Sequence, residues 1–119
     1  METLTVEEVI LLNYMLHEPE QDTVLIDDRF LSELKKMRQD GTTHLDHIAH
    51  AVDLVLLIVQ WRPFPSPVLT ALAAGCTTLM MNGYTFFVDR DEIESVIVMV
   101  DSGTWGRSKL IEWFERNVA

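Results

Sequence analysis

The sequence predicts a single all-α domain, a compact six-helix bundle spanning residues 1–119. Three observations lead to this prediction. Apolar residues recur at intervals of three and four through most of the chain, and helix-capping residues precede these stretches. Of the 119 residues, 48% are hydrophobic, which is enough to form a buried core. No repeat, low-complexity tract or linker divides the chain, and one short strand or flap remnant is allowed for beside the helices.

The six predicted helices have bounds near residues 5–17, 28–39, 44–61, 67–81, 90–101 and 107–117. The first and fifth begin with capping boxes, in which a Thr or Asp and a Glu three residues later exchange side chain–backbone hydrogen bonds. Ser66 caps the fourth helix, and Pro67 fits its first position. The third helix is apolar on every side over 54–59, a run too short to span a bilayer, which indicates the centre of a bundle. Residues 84–88 are expected to be extended.

The fourth helix carries small residues that would let another helix approach closely. They are Ala71, Ala74, Gly75 and Thr78. Cys76 lies among them, and we interpret it as a small core residue and not as a reactive thiol. Met80 and Met81 are expected either to fill the core or to belong to an adaptable binding surface.

Charge and cysteine content restrict the classes of function. Acidic residues outnumber basic ones 19 to 9, for a net charge of −10. Such a field repels nucleic acid and anionic membranes and favours a basic partner. The single cysteine excludes an intrachain disulfide, and residues 1–4 contain no basic group that would begin a secretory signal. The sequence therefore predicts a cytoplasmic protein that binds neither nucleic acid nor membranes.

From Arg62 onward, short motifs follow one another in a characteristic order. An apolar helix runs into a Pro-Phe loop, and the next helix opens with Thr-Ala-Leu at 70–72 and ends in Asn-Gly-Tyr at 82–84. An acidic-capped helix, a glycine break and a short final helix come after it. This order resembles the Doc (death-on-curing) branch of the Fic family. Residues 4–9 and 26–31 are similar to the family's first and second helices, so the resemblance covers nearly the whole chain and implies a Fic/Doc-like helical bundle.

Family members carry a loop written H-P-F-x-D-G-N-K/G-R, and the resemblance implies transfer of AMP from ATP, or of phosphate from a nucleotide, to a protein hydroxyl. The corresponding loop here consists of Arg62, Pro63, Phe64, Pro65, Ser66 and Pro67. A guanidinium cannot act as the general base, and a lone serine hydroxyl is a weak Mg²⁺ ligand. The prolines remove backbone N–H donors that would cradle phosphate. The sequence therefore predicts no catalytic residue, no cofactor and no bound metal.

These substitutions lead to the hypothesis of a catalytically inactive Fic/Doc-like protein, a pseudoenzyme that serves as a protein-binding or regulatory module in a toxin–antitoxin type of system. The expected partner is an antitoxin-like helix, a basic protein segment or a second copy of the chain. The resemblance implies that, in active relatives, a flap pairs with a target segment through backbone hydrogen bonds. The corresponding residues are Thr23, Val24, Leu25 and Ile26. Two alternatives stay open: an enzyme with remodelled chemistry, and a structural subunit of a larger assembly.

One cluster of the sequence has the composition of a metal site. It consists of His44, Asp46, His47, His50 and Asp53. His47 and His50 share a helix face, with an aspartate one turn from His50. The spacing is not H-E-x-x-H and no cysteine takes part, so a polar helix start is the favoured interpretation. An enzyme with remodelled chemistry would use these histidines together with Arg62.

Overall fold

The computed structural model describes residues 4–5, 7–11, 28–37, 43–62 and 67–119. These residues form six helical segments: α1 (7–11), α2 (Asp28–Lys36), α3 (His44–Trp61), α4 (Pro67–Met81), α5 (Arg90–Asp101) and α6 (Arg107–Asn117). Within these ranges there is no strand, and one isolated antiparallel bridge joins Phe86 to Val118. None of the described helices is both long and apolar enough to span a bilayer. The predicted all-α bundle is confirmed.

The first two helices begin as predicted, but α2 ends early. At the start of α1, the Thr5 N–H donates to Glu8 Oε1 at 3.0 Å and the Glu8 N–H donates to Thr5 Oγ1 at 3.2 Å, which completes the capping box. α2 ends at Lys36, about three residues before its predicted end. There the Met37 N–H donates to the carbonyl of Leu34, three residues back, at 3.3 Å. This tighter bond closes the last turn of α2.

The α3–α4 pair forms the centre of the molecule. α3 begins with a complete capping box between Thr43 and Asp46, which fixes its predicted start. The small residues expected to permit close approach are all buried in α4. A Cβ atom added to Gly75 would lie 2.7 Å from Val55 Cγ2 and 3.3 Å from the Ala51 carbonyl oxygen, both on α3. The predicted close approach of a second helix to α4 is therefore confirmed, and that helix is α3.

The C-terminal helices pack on this pair through α6, whose Leu110, Trp113 and Phe114 are buried. The predicted capping box of α5 is only half formed. Asp89 Oδ1 accepts from the Glu92 N–H at 2.9 Å, but Glu92 Oε1 accepts from the Trp113 indole N–H, also at 2.9 Å. Glu92 therefore links α5 to α6, since an indole N–H needs an acceptor once the ring is buried.

The chain end pairs with the segment between α4 and α5. Thr85 and Ala119 exchange two backbone hydrogen bonds of 3.0 and 2.9 Å, and the Phe87 N–H donates to the Asn117 carbonyl at 2.8 Å. This pairing confirms the extended conformation expected for residues 84–88. The pairing also positions Phe86, whose ring packs edge-on to Trp113 with 5.4 Å between ring centroids.

α3 and α4 run antiparallel, so the bundle has two distinct ends. The loop end contains the last turn of α3, the first turn of α4 and the last turn of α5, which Arg62 and Asp101 connect. The Tyr84 end contains the first turns of α3, the last turn of α4 and the segment 84–88, which His47 and Tyr84 connect. Arg62 and the first two histidines of α3, which the sequence analysis considered as functional groups, lie at these two ends.

Candidate functional site

The loop end carries the degenerate motif, of which the structure describes the two outer residues, Arg62 and Pro67. Pro63, Phe64, Pro65 and Ser66 lie outside the described residues. The predicted partner-binding segment, Thr23, Val24, Leu25 and Ile26, also lies outside them. Pro67 is buried as the first residue of α4, the position that proline favours because it needs no N–H donor there.

Arg62 ends α3 in a left-handed backbone conformation, with φ 45° and ψ 54°. Its N–H donates to the Ile58 carbonyl at 3.0 Å and so closes the last turn of the helix. A left-handed conformation is costly for a residue with a Cβ, by about 1–2 kcal/mol. Of the described non-glycine residues, Arg62 is the one with positive φ. The helix end thus places a strained arginine where the resemblance expects a general base.

The guanidinium of Arg62 points toward α5. Its Nη2 lies 3.4 Å from Asp101 Oδ1, and both side chains are more than half exposed. An exposed pair of this kind contributes at most about 1 kcal/mol. Guanidinium has no acceptor atom and stays protonated at any biological pH. The arrangement can bind an anion or a carboxylate, but it cannot take a proton from a hydroxyl.

The histidines and aspartates considered as a metal cluster in the sequence do not come together. His50 is buried, while Asp53 accepts from Arg107 Nε at 2.8 Å. Asp46 accepts from the Thr43 N–H in the α3 capping box. Among the described residues there is no group of three or more His, Cys, Asp or Glu side chains that could hold a metal ion.

Arg62 and the histidines do not form one site either. They lie at opposite ends of α3, and the twelve residues from His50 to Arg62 correspond to about 18 Å along the helix axis. An arginine side chain cannot cross that distance. Within one chain, Arg62 and the histidines therefore belong to different ends of the bundle.

Two of the histidines instead meet Tyr84, a residue that the sequence analysis did not single out. His47 Nδ1 lies 2.7 Å from Tyr84 Oη. The tyrosine ring packs against His44 and His47 with centroid separations of 5.2 and 5.5 Å. No local spacing could reveal this contact, because Tyr84 follows the histidines by 37 and 40 residues. Only the register between α3 and α4 determines it.

Large apolar side chains are exposed in the elements that form the Tyr84 end. Leu45, Met80, Met81 and Phe87 are four of the seven exposed large hydrophobic residues in the described ranges, and we refer to them as the apolar rim. Leu45 follows His44, and the other three lie within four residues of Tyr84. Met80 is 58% exposed and Phe87 is 63% exposed. Of the two roles considered for Met80 and Met81, the structure supports the surface role, since both are exposed.

Cys76 does not add a nucleophile. It is half-buried within α4, and burial raises the pKa of its thiol to about 12, although a backbone hydrogen bond lowers it slightly. The thiolate is the reactive form of cysteine. The thiol therefore stays protonated at neutral pH, as expected of a small core residue.

No family model, curated protein or solved structure significantly matches this chain. The likeness to the Fic/Doc family accordingly rests on the order of motifs in the sequence.

Proposed function

We propose that this chain is a catalytically inactive Fic/Doc-like protein that acts as a protein-binding module, in a regulatory role of the toxin–antitoxin type. The observation that carries the proposal is Arg62. It occupies the position of the general base in the motif, and its guanidinium is bound to a carboxylate at the end of α5. The chain keeps the family's order of helices and loops, but it replaces the groups that transfer of AMP or phosphate requires.

The apolar rim supports the binding role. Its four large apolar side chains are exposed at one end of the bundle, and exposed apolar surface is typical of protein-interaction sites. Two of the four are methionines, whose flexible thioether side chains adapt to differently shaped partners. The net charge of −10 favours a partner with basic groups around its apolar contact residues.

Loss of catalysis is tested by incubating the full chain with labelled ATP or GTP, Mg²⁺ and a proteome. We expect no protein to acquire AMP or phosphate above the level seen without the chain. A modified product that forms with the natural chain and disappears with Arg62→Ala would show that the loop is catalytic, and would end the proposal.

The binding role is tested with two substitutions of equal exposure. Phe87→Asp places a charge in the apolar rim, whereas Val98→Asp places one on α5, one turn from Asp101 and so at the loop end. Their side chains are 63% and 64% exposed, so neither change should disturb the core. In cross-linking from the native cell, we expect a partner recovered with the natural chain to be retained by Val98→Asp and lost with Phe87→Asp. If both variants recovered the partner equally, the apolar rim would not be the binding surface, and this part of the proposal would be wrong.

A further inference from the structure

The contact between Tyr84 and the two histidines has the composition of a metal site. Imidazole nitrogens are ligands for Zn²⁺, Cu²⁺, Ni²⁺ and iron, and a phenolate oxygen adds a negatively charged ligand. His44 is exposed and His47 and Tyr84 are half-buried, so the contact is accessible from solution. Such a three-ligand set leaves at least one coordination position for water, as in open metal sites of proteins.

The distance between one pair of proposed ligand atoms is close to that required by a shared ion. His47 Nδ1 and Tyr84 Oη are 2.7 Å apart, with one proton between them. Two ligand atoms at about 2.0–2.1 Å from a tetrahedral ion are about 3.3 Å apart, so an ion could replace that proton if the two atoms moved apart by about 0.6 Å. The ring centroids of His44 and His47 lie 5.2 and 5.5 Å from that of Tyr84. Both histidine rings therefore pack against the tyrosine ring, at separations that are usual for packed rings.

The backbone holds these side chains in place before any ligand arrives. The two histidines lie in the first turns of α3, which the Thr43 capping box fixes. Tyr84 follows Gly83, whose φ of 91° reverses the chain after α4, and its N–H donates to the Leu79 carbonyl at 3.1 Å. A site on a capped helix and a hydrogen-bonded turn loses little entropy when it binds an ion.

The charge of the chain as a whole favours a cation. The chain carries a net charge of −10, which attracts cations to its surface. The site also differs from the cluster considered in the sequence, because a tyrosine from the segment after α4 takes the place of the aspartates.

We propose that His44, His47 and Tyr84 bind a divalent transition-metal ion of the class that prefers imidazole, such as Zn²⁺ or Cu²⁺. The ion bonds to one nitrogen of each histidine and to Tyr84 Oη. The O–H bond of Tyr84 breaks, and its proton passes to solvent, so one proton is released for each ion bound. The oxidation state of the ion does not change. This inference is independent of the proposed protein-binding role.

Cu²⁺ is the most informative probe, because a phenolate bound to it gives a visible charge-transfer absorption band. We expect one equivalent of Cu²⁺, added to the full chain at pH 8, to produce this band and to release one proton. Tyr84→Phe keeps the ring but removes the ligand atom. It should abolish the band and weaken binding at least tenfold, the lower limit of the about 10–100-fold losses seen even for residues beyond the direct ligands. His47→Gln should weaken binding by a similar factor.

The chain provides matched controls. Tyr14 is the second tyrosine of the chain, and His17 is its one histidine outside α3. Tyr14→Phe and His17→Gln should leave the band and the affinity unchanged, and circular dichroism should show that every variant is folded. Failure of the natural chain to bind Cu²⁺, binding without the phenolate band, or equal binding by Tyr84→Phe would each overturn the proposal.

Discussion

Gly75→Ala tests whether the close approach of α3 and α4 holds the bundle together. An added Cβ atom would lie 2.7 Å from Val55 Cγ2, 3.1 Å from Phe114 Cζ and 3.3 Å from the Ala51 carbonyl oxygen. Carbon atoms pack best at about 3.5–4.0 Å, so the shortest of these contacts is about 1 Å too close. The three neighbours belong to α3 and α6, so no single side-chain rotation relieves the clash.

The magnitude follows from two opposing effects. Alanine is favoured over glycine within a helix by about 1 kcal/mol. Overpacking in a filled core costs about 1–3 kcal/mol, and the upper part of that range applies here because Val55 is fully buried and a helical valine has essentially one rotamer. We therefore expect Gly75→Ala to lower the free energy of unfolding by about 1–2 kcal/mol. For a chain of this size that corresponds to a fall in Tm of roughly 4–8 °C.

The assay is urea and thermal unfolding followed by far-UV circular dichroism. Val55→Ala removes the Cγ2 atom in the shortest contact, so we expect Gly75→Ala to be neutral or stabilising in that background. The difference between the two backgrounds gives the coupling energy of the pair. If Gly75→Ala instead raised the stability of the natural chain by the about 1 kcal/mol that helix propensity supplies, the close approach of α3 and α4 would be refuted.

Two further changes test the loop end and α4. Arg62→Gly should raise the free energy of unfolding by about 0.5–1 kcal/mol in urea, because relief of the left-handed strain exceeds the loss of the exposed Asp101 pair. Asp101→Asn, which removes the pair alone, should change it by less than about 0.5 kcal/mol, and destabilisation by Arg62→Gly would contradict this account. For Cys76, the thiol pKa is about 12 in the folded chain against an ordinary value of 9.0. The unfolded chain therefore loses the thiol proton first as the pH rises, and stability should fall by about 1–2 kcal/mol more in the natural chain than in Cys76→Ala between pH 8 and about 10.5. Parallel curves for the two proteins would show that the thiol is not shielded.

Most helix bounds could be predicted, because the signals that set them are local. Thr43, Pro67 and Asp89 act on backbone groups within one turn, and the structure begins α3, α4 and α5 at or directly after them. The end of α5 follows from Gly103, whose φ of 79° is accessible to glycine at no steric cost. The predicted end of α2 was wrong by about three residues. The last turn of a helix is decided by competition between backbone hydrogen bonds to the third and to the fourth preceding residue, and the sequence does not reveal which will form.

Contacts between distant residues could not be predicted in the same way. The carboxylate of Glu92 has the spacing of a capping box with Asp89, yet it accepts from the buried indole of Trp113. A buried indole N–H must find its acceptor within the protein, whereas an exposed backbone N–H can bond to water. The local pattern was therefore correct for Asp89 and wrong for Glu92.

The same difference between local chemistry and long-range contacts applies to the candidate site. That Arg62 cannot act as a base depends on the chemistry of one residue, so the sequence was sufficient. The meeting of His47 and Tyr84 depends on the register of α3 against α4, which the contact between Gly75 and Val55 sets. His47 lies eight residues before Val55, about 12 Å along α3, and Met81 ends α4 six residues after Gly75, about 9 Å in the same direction, so the turn after α4 brings Tyr84 to His47. The small residues of α4 predicted that a helix would approach, but not which helix or at which residue. The contact of Tyr84 with His44 and His47 depends on that register and so could not be predicted.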